Sequence, residues 1–187
     1  MLLLAFGHKA RNGKDTCAHA IKDFYEYTVP VKLFPFAAAL YDEARRVHGM
    51  TTKDPALLQR IGHGRRQEDP LYWVKRNFAA INMWSSKLKD PDNCIAIITD
   101  LRYQNEAEYI KGCGGYLVDI TRINDDGSRF ISPDRDPNHP SEIDLDNYGG
   151  WDAYIVAKDE QLKRELAIET ACFFLEKKRE SSLHTRP

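Results

Sequence analysis

Gly13, Lys14, Asp15 and Thr16 end the stretch GHKARNGKDT (residues 7–16), which joins the apolar run LLLAF to a segment of helical periodicity. Those residue types in that order can hold a phosphate. Glycines let consecutive backbone N–H groups turn inward, a lysine reaches the anion, and a helix N-terminus faces it. The general pattern is GxxxxGK[ST]. Here five residues separate Gly7 from Gly13, and Asp15 follows the lysine, with Thr16 one place further. Either Asp15 or Thr16 is the expected magnesium ligand, and spacing does not choose between them. The competing reading is an ordinary glycine-containing turn with a surface lysine; the strand before and the helix after favour the phosphate reading. Lys9 and Arg11 bring more positive charge than a turn requires, either as solvated charge or as a clamp for a second anion.

Other charged residues fall where such a loop would need them. Asp100 and Arg102 follow the aliphatic run CIAIIT (94–99), at the strand end where ligands bind in open α/β sheets. An acid there can hold magnesium, directly or through water, or it can cap the following helix. Arg102 is placed either to ion-pair with Glu106 or to bind an anion. GHGRRQEDPLYW (62–73) sets Arg65 and Arg66 between glycine turns and a helix start. Arg122 precedes a long polar stretch, 124–141, that carries Arg129, Arg135 and His139 and suits a lid that excludes water. Solvated surface charge is the alternative for each of these. His139 lacks a metal-type partner at helical spacing, so a hydrogen-bonding loop role is expected. Trp73, Trp84 and Trp151 read as packing residues.

The elements that must position these groups follow from periodicity. LLLAF (2–6) is a short buried strand, and Cys17, Ala20, Ile21, Phe24 and Tyr25 stripe a helix over 14–27. VKLFPF (31–36) is a strand weakened by Pro35, 38–47 is helical, and Leu57, Leu58 and Ile61 mark a short helix after Pro55. A longer helix starts at Asp69-Pro70, with Val74, Phe78, Ile81 and Leu88 near one face. CIAIIT is a central strand ended by Asp100, 105–115 a helix stopped by glycine, YLVDI (116–120) and AYIVA (153–157) strands, and 161–178 a closing helix before a frayed tail. The alternation predicts a three-layer α/β fold with a mainly parallel sheet.

The 187 residues, 42% hydrophobic, suit one domain over 1–187. With 27 basic and 28 acidic residues the net charge is −1, so no global field points to nucleic acid or an anionic membrane. Anion binding must be local. Four widely spaced cysteines without a CxxC pair fit a reduced setting. The first apolar run is too short for a signal-peptide core and no stretch is long enough to span a membrane, so a soluble cytoplasmic protein is expected.

Four stretches in order, GHKARNGKDT, LLQRIGHGRRQEDPLYWVKR, IITDLRYQNEAEYIKGCGG with YLVDITR, and HPSEIDLDN followed by YIV, resemble the deoxynucleoside monophosphate kinases of tailed phages and their bacterial relatives. The similarity spans nearly the whole chain. It implies a P-loop, adenylate-kinase-like fold with a helical monophosphate-binding region at about 37–92 and a lid at about 122–142. It also implies transfer of the ATP γ-phosphate, with Mg2+, to a deoxynucleoside monophosphate, the partners being small nucleotides rather than nucleic acid or membrane, with a homodimer left open. Carried over, Gly13, Lys14, Asp15 and Thr16 form the ATP and magnesium site, and Asp100 is a further candidate for the metal. Arg66 holds the acceptor phosphate, with Lys9 and Arg11 near both phosphates. Arg102, Arg122, His139 and Glu142 complete the substrate contacts, and Ser141 matches the same segment. Departures are the extra loop residue and LRYQ after the strand-end acid, where many relatives carry Phe-Pro. Two other readings stay open: a kinase of this fold acting on a modified base in DNA or on a small phosphorylated metabolite, and a nucleotide-binding module without kinase activity.

Overall fold

The computed structural model describes residues 1–133 and 136–184, with side chains to 181. Five strands, β1 (Leu2–Gly7), β2 (Val31–Leu33), β3 (Ile95–Leu101), β4 (Tyr116–Arg122) and β5 (Ala153–Ala157), form one parallel sheet in the order β2-β3-β1-β4-β5. Helices α1 (Lys14–Phe24), α2 (Phe36–Arg46), α3 (Pro55–Glu68), α4 (Tyr72–Ser85), α5 (Gln104–Gly112), α6 (Pro140–Ile143) and α7 (Glu160–His184) connect or follow them. The result is the expected mixed α/β fold, consistent with that of P-loop kinases.

The three layers arise from strand alternation, which sends successive side chains to opposite faces. Leu3 and Ala5 of β1, with Ala96 and Ile98 of β3, face Phe36 of α2, Leu58 and Ile61 of α3 and Trp73, Val74 and Ile81 of α4. Leu2, Leu4 and Phe6, with Ile95 and Ile97, face Cys17 and Ile21 of α1 and Ala167, Ala171 and Phe174 of α7. Each such buried aliphatic side chain contributes about 1.5–3 kcal/mol against exposure. All the strands are parallel, so their carboxyl ends emerge on one side, and the β1–α1 loop, Asp100 and Arg102 emerge with them.

Several elements differ from their sequence expectations. The short helix after Pro55 runs for 14 residues, capped by the Asp54 carboxylate on the Leu57 N–H, and it carries Arg65 and Arg66 in its last turns rather than on a loop. A helical glycine costs only about 1 kcal/mol relative to Ala, which the burial of Leu58 and Ile61 in the core outweighs. Strand β3 continues past Asp100 to Leu101, and α4 stops before Leu88. The polar stretch contains an antiparallel bridge, Ile123 to Arg129, around a turn, and ends in α6; Arg135 lies outside the described residues. The tail expected to fray is helical as far as His184, and 185–187 lie outside the described residues. All four cysteines are free. Among the described residues, no helix is long and apolar enough to cross a membrane.

Gly7 is required by contact rather than by dihedral angle. A Cβ there would lie 2.4 Å from Trp151 Cη2 and 3.2 Å from Leu101 Cδ2. Gly7→Ala is expected to destabilise the protein by about 1–3 kcal/mol through overpacking, read as a lowered midpoint in urea unfolding with an unchanged slope.

Candidate functional site

The loop after β1 turns through two non-glycine residues with positive φ, His8 at 78° and Arg11 at 56°, before Gly13 at 93°. The residue additional to the usual spacing is accommodated by these left-handed turns. Gly13 is the N-cap of α1 and offers no side-chain cap, so the first N–H groups of the helix face the cavity in front of it. That cavity, of about 560 Å3, is lined by Arg11, Gly13, Lys14, Asp15, Thr16 and, from the end of β3 and just past it, Asp100 and Arg102. The Lys14 amine donates to the carbonyls of His8 and Lys9, which carry no charge. Burial and the neighbouring Arg102 guanidinium lower its pKa to about 7 against the weaker pull of Glu142, Asp100 and Asp15.

Glu142 holds the loop in this shape. Its Oε2 accepts from the Ala10 N–H at 2.9 Å, and its Oε1 accepts from the Arg102 guanidinium at 3.1 Å. The same guanidinium donates to the His8 carbonyl at 2.7 Å. The His8 ring lies between Asp119 Oδ2 at 3.3 Å and Asp146 Oδ1 at 2.7 Å. Lys9 donates to Asp146 Oδ1 and to the Glu142 carbonyl, and Asn12 Oδ1 accepts from the Arg122 N–H at 2.6 Å. His8, Asn12, Asp119 and Asp146 were not recognised from the sequence. Asp119 carried a signal, being a carboxylate inside the apolar run YLVDI.

Asp100 caps a helix, but not the one that follows it. Its two oxygens accept from the Phe36 and Ala37 N–H groups of α2 at 2.7 and 3.0 Å. Burial pushes its pKa up, against those two hydrogen bonds. Each oxygen keeps a lone pair for a further ligand.

A second cavity, of about 250 Å3, opens between Asp100 and the helices, lined by Leu40, Arg66, Trp73, Ser141 and Glu142. Ala37, Asp100 and Arg102 line both cavities. Arg66 lies over the Tyr103 ring at 5.1 Å, with Nη2 3.9 Å from Glu106 Oε1. Arg65 points elsewhere, to Glu43 Oε1 at 2.7 Å. Of the two roles left open for Arg102, an ion pair with Glu106 is not the one formed: Glu106 Oε2 accepts from the backbone N–H groups of Arg102 and Tyr103. Burial raises its pKa to about 7, opposed by the Arg102 N–H and by Arg66.

The remaining candidates lie outside the described linings of both cavities. Lys9 is engaged as above, and the Arg122 guanidinium lies 4.6 Å from the centre of the Phe130 ring. His139 caps α6, its Nδ1 accepting from the Ser141 N–H at 3.2 Å. No group of three His, Cys, Asp or Glu side chains able to hold a metal occurs among the described residues. Asp15, Thr16 and Asp100 nevertheless offer hard oxygen donors to one cavity. This suits Mg2+, which takes one or two protein ligands and completes its shell with phosphate and water.

No family model matches the chain. A protein of Acanthamoeba polyphaga mimivirus, named "Putative deoxynucleotide monophosphate kinase", is 39% identical over 69 residues, covering 37% of this chain and 31% of the viral protein. The chain thus matches about a third of that relative's length. The crystal structure of APE1195 aligns at a TM-score of 0.42 and 13% identity over 94% of each chain, a level that carries no argument.

Two outcomes test the supports of the site. Glu142→Ala leaves the Ala10 N–H and the Arg102 guanidinium without their carboxylate and is expected to cost about 3 kcal/mol in chemical unfolding. Glu106, raised from 4.5 to about 7, holds its proton more tightly folded than unfolded. Its contribution to stability is therefore complete below pH 4.5 and lost as pH rises towards 7. Glu106→Gln is expected to flatten the dependence of the melting temperature on pH across that window.

Proposed function

We propose that this chain transfers the γ-phosphate of ATP to a deoxynucleoside 5′-monophosphate, giving ADP and the diphosphate. The observation that carries the reading is the shared wall, since Asp100 and Arg102 line both the cavity before α1 and the cavity that holds Arg66. A hydrolase needs one anion site, whereas a phosphotransferase needs two that meet. The printed name of the viral relative points the same way.

In this reading the donor triphosphate lies against the N-terminus of α1, with Lys14 on its outer phosphates. The acceptor phosphate replaces water and weak partners around Arg66 and Arg102. An oxygen of that phosphate attacks the γ-phosphorus as the bond to the β–γ bridging oxygen breaks, and the electron pair leaves with ADP. The attacking oxygen is already ionised, so no general base is needed. Positioning and positive charge are what the protein supplies. Asp15 or Thr16, with Asp100, would hold Mg2+, which neutralises phosphate charge when bound. The Lys14 amine, lowered to about 7 without an anion, gains its proton firmly when a phosphate arrives. Helices α2–α4 form the monophosphate-binding region and residues 122–142 the lid that excludes water.

A coupled ADP-release assay against a panel of deoxynucleoside monophosphates tests the reading. One or more is expected to be phosphorylated, and Lys14→Met to lower kcat by about 10²–10³-fold with little change in melting temperature. Near-normal turnover in that variant removes the site assignment. ATP hydrolysis without transfer to any monophosphate would instead mark a nucleotide-binding module.

A further inference from the structure

Lys163, in the first turns of α7, plays no part in the reaction as described, yet its side chain lies against Gly13, where the donor loop meets α1, just behind the residues that line the donor cavity. It is only 6% exposed. A Cβ built on Gly13 would lie 3.1 Å from its Nζ, 3.3 Å from its Cδ and 3.5 Å from its Cε. The stem and amine therefore lie along the one residue between the loop and α1 that has no side chain. The backbone of Lys163 is fixed there: its N–H donates to the Asp159 carbonyl, its carbonyl accepts from Cys17 Sγ, and Asp159 caps the helix through the Leu162 N–H. Among the described residues, no hydrogen bond or ion pair engages Nζ. A buried ammonium without a counter-charge is unfavourable. Here it faces the N-terminus of an 11-residue helix, whose field also favours an anion.

We propose that Lys163 is a second cation of the donor site, binding the phosphate chain of a nucleoside di- or triphosphate from the side opposite Lys14. This rests on the reading of the β1–α1 loop as the donor site. Lys14 enters from within the loop and Lys163 from α7, so the phosphates lie between two amines that no neighbouring carboxylate neutralises by direct contact. Gly13 itself stands at φ 93°, a conformation L side chains rarely adopt, and a Cβ there would also crowd the Lys163 amine at 3.1 Å.

Titration calorimetry of ADP and of adenosine against the full chain tests this. Lys163→Met keeps the packed stem and removes the charge; its ADP affinity is expected to fall about tenfold, adenosine affinity to stay unchanged, and Lys163→Arg to recover most of the loss. In turnover, KM for ATP rises while KM for the acceptor holds. If Lys163→Met unfolds early, Lys163→Gln serves as the neutral variant. ADP affinity within twofold of the unmodified chain, or equal losses for ADP and adenosine, overturns the proposal while leaving the donor site standing. Failure of the unmodified chain to bind ADP overturns both.

Discussion

A single carboxylate holds the candidate site together. Glu142, 132 residues away from Ala10 in sequence, accepts the Ala10 N–H on one oxygen and the Arg102 guanidinium on the other. Arg102 in turn reaches the His8 carbonyl, so the loop after β1, the end of β3 and helix α6 are fixed relative to one another. A loop with two non-glycine residues at positive φ is not the conformation its local sequence prefers. It persists because buried polar groups on three segments are satisfied only in this arrangement, and leaving any of them unpaired would cost more than the turn.

The local charge balance differs from that of the chain. The net charge is close to zero; around the loop Lys9 and Arg102 are paired with Asp146 and Glu142, whereas three other cations have weak or neutral partners. The Lys14 amine has only carbonyls, the Lys163 amine has no hydrogen-bonding partner among the described residues, and Arg66 has Glu106 at 3.9 Å. Nearby carboxylates direct oxygens to backbone N–H groups: Asp100 to α2, Glu106 to Arg102 and Tyr103, and Glu142 to Ala10 while its other oxygen pairs with the Arg102 guanidinium. Each acid thus shapes the backbone, and only Glu142 among these three also makes a close ion pair with a site cation, Arg102. In the proposed reading this arrangement suits an anion brought from outside, and the parallel sheet provides the common edge on which the groups meet.

Most of the framework was legible from periodicity, because the strands are short continuous aliphatic runs and the helices carry clear stripes. All five strands fall where the apolar runs are. Glycine misled the reading of Arg65 and Arg66: GHG suggests a turn, yet α3 passes through it, since packing of Leu58 and Ile61 on the core outweighs a modest propensity. Asp100 was recognised as chemically important and as a cap, but the helix it caps is α2, 64 residues back, which no local pattern reveals. The His8, Asp119 and Asp146 cluster was missed because its members are far apart in sequence and ordinary in type.

The sequence by itself determined the α/β layering, the strand-to-helix loop around Gly13 and Lys14, and the strand-end pair Asp100 and Arg102. These are local matters of period, glycine placement and capping, which act over a few residues. Only the tertiary structure decided which charges line the two cavities and which hold the scaffold. It assigned Arg66 to the cavity and Arg65 to Glu43, gave Glu142 to the loop, and laid Lys163 along Gly13. The physical reason is that a charged side chain acquires its role from its partners and its burial, and in this chain those come from segments up to 146 residues apart.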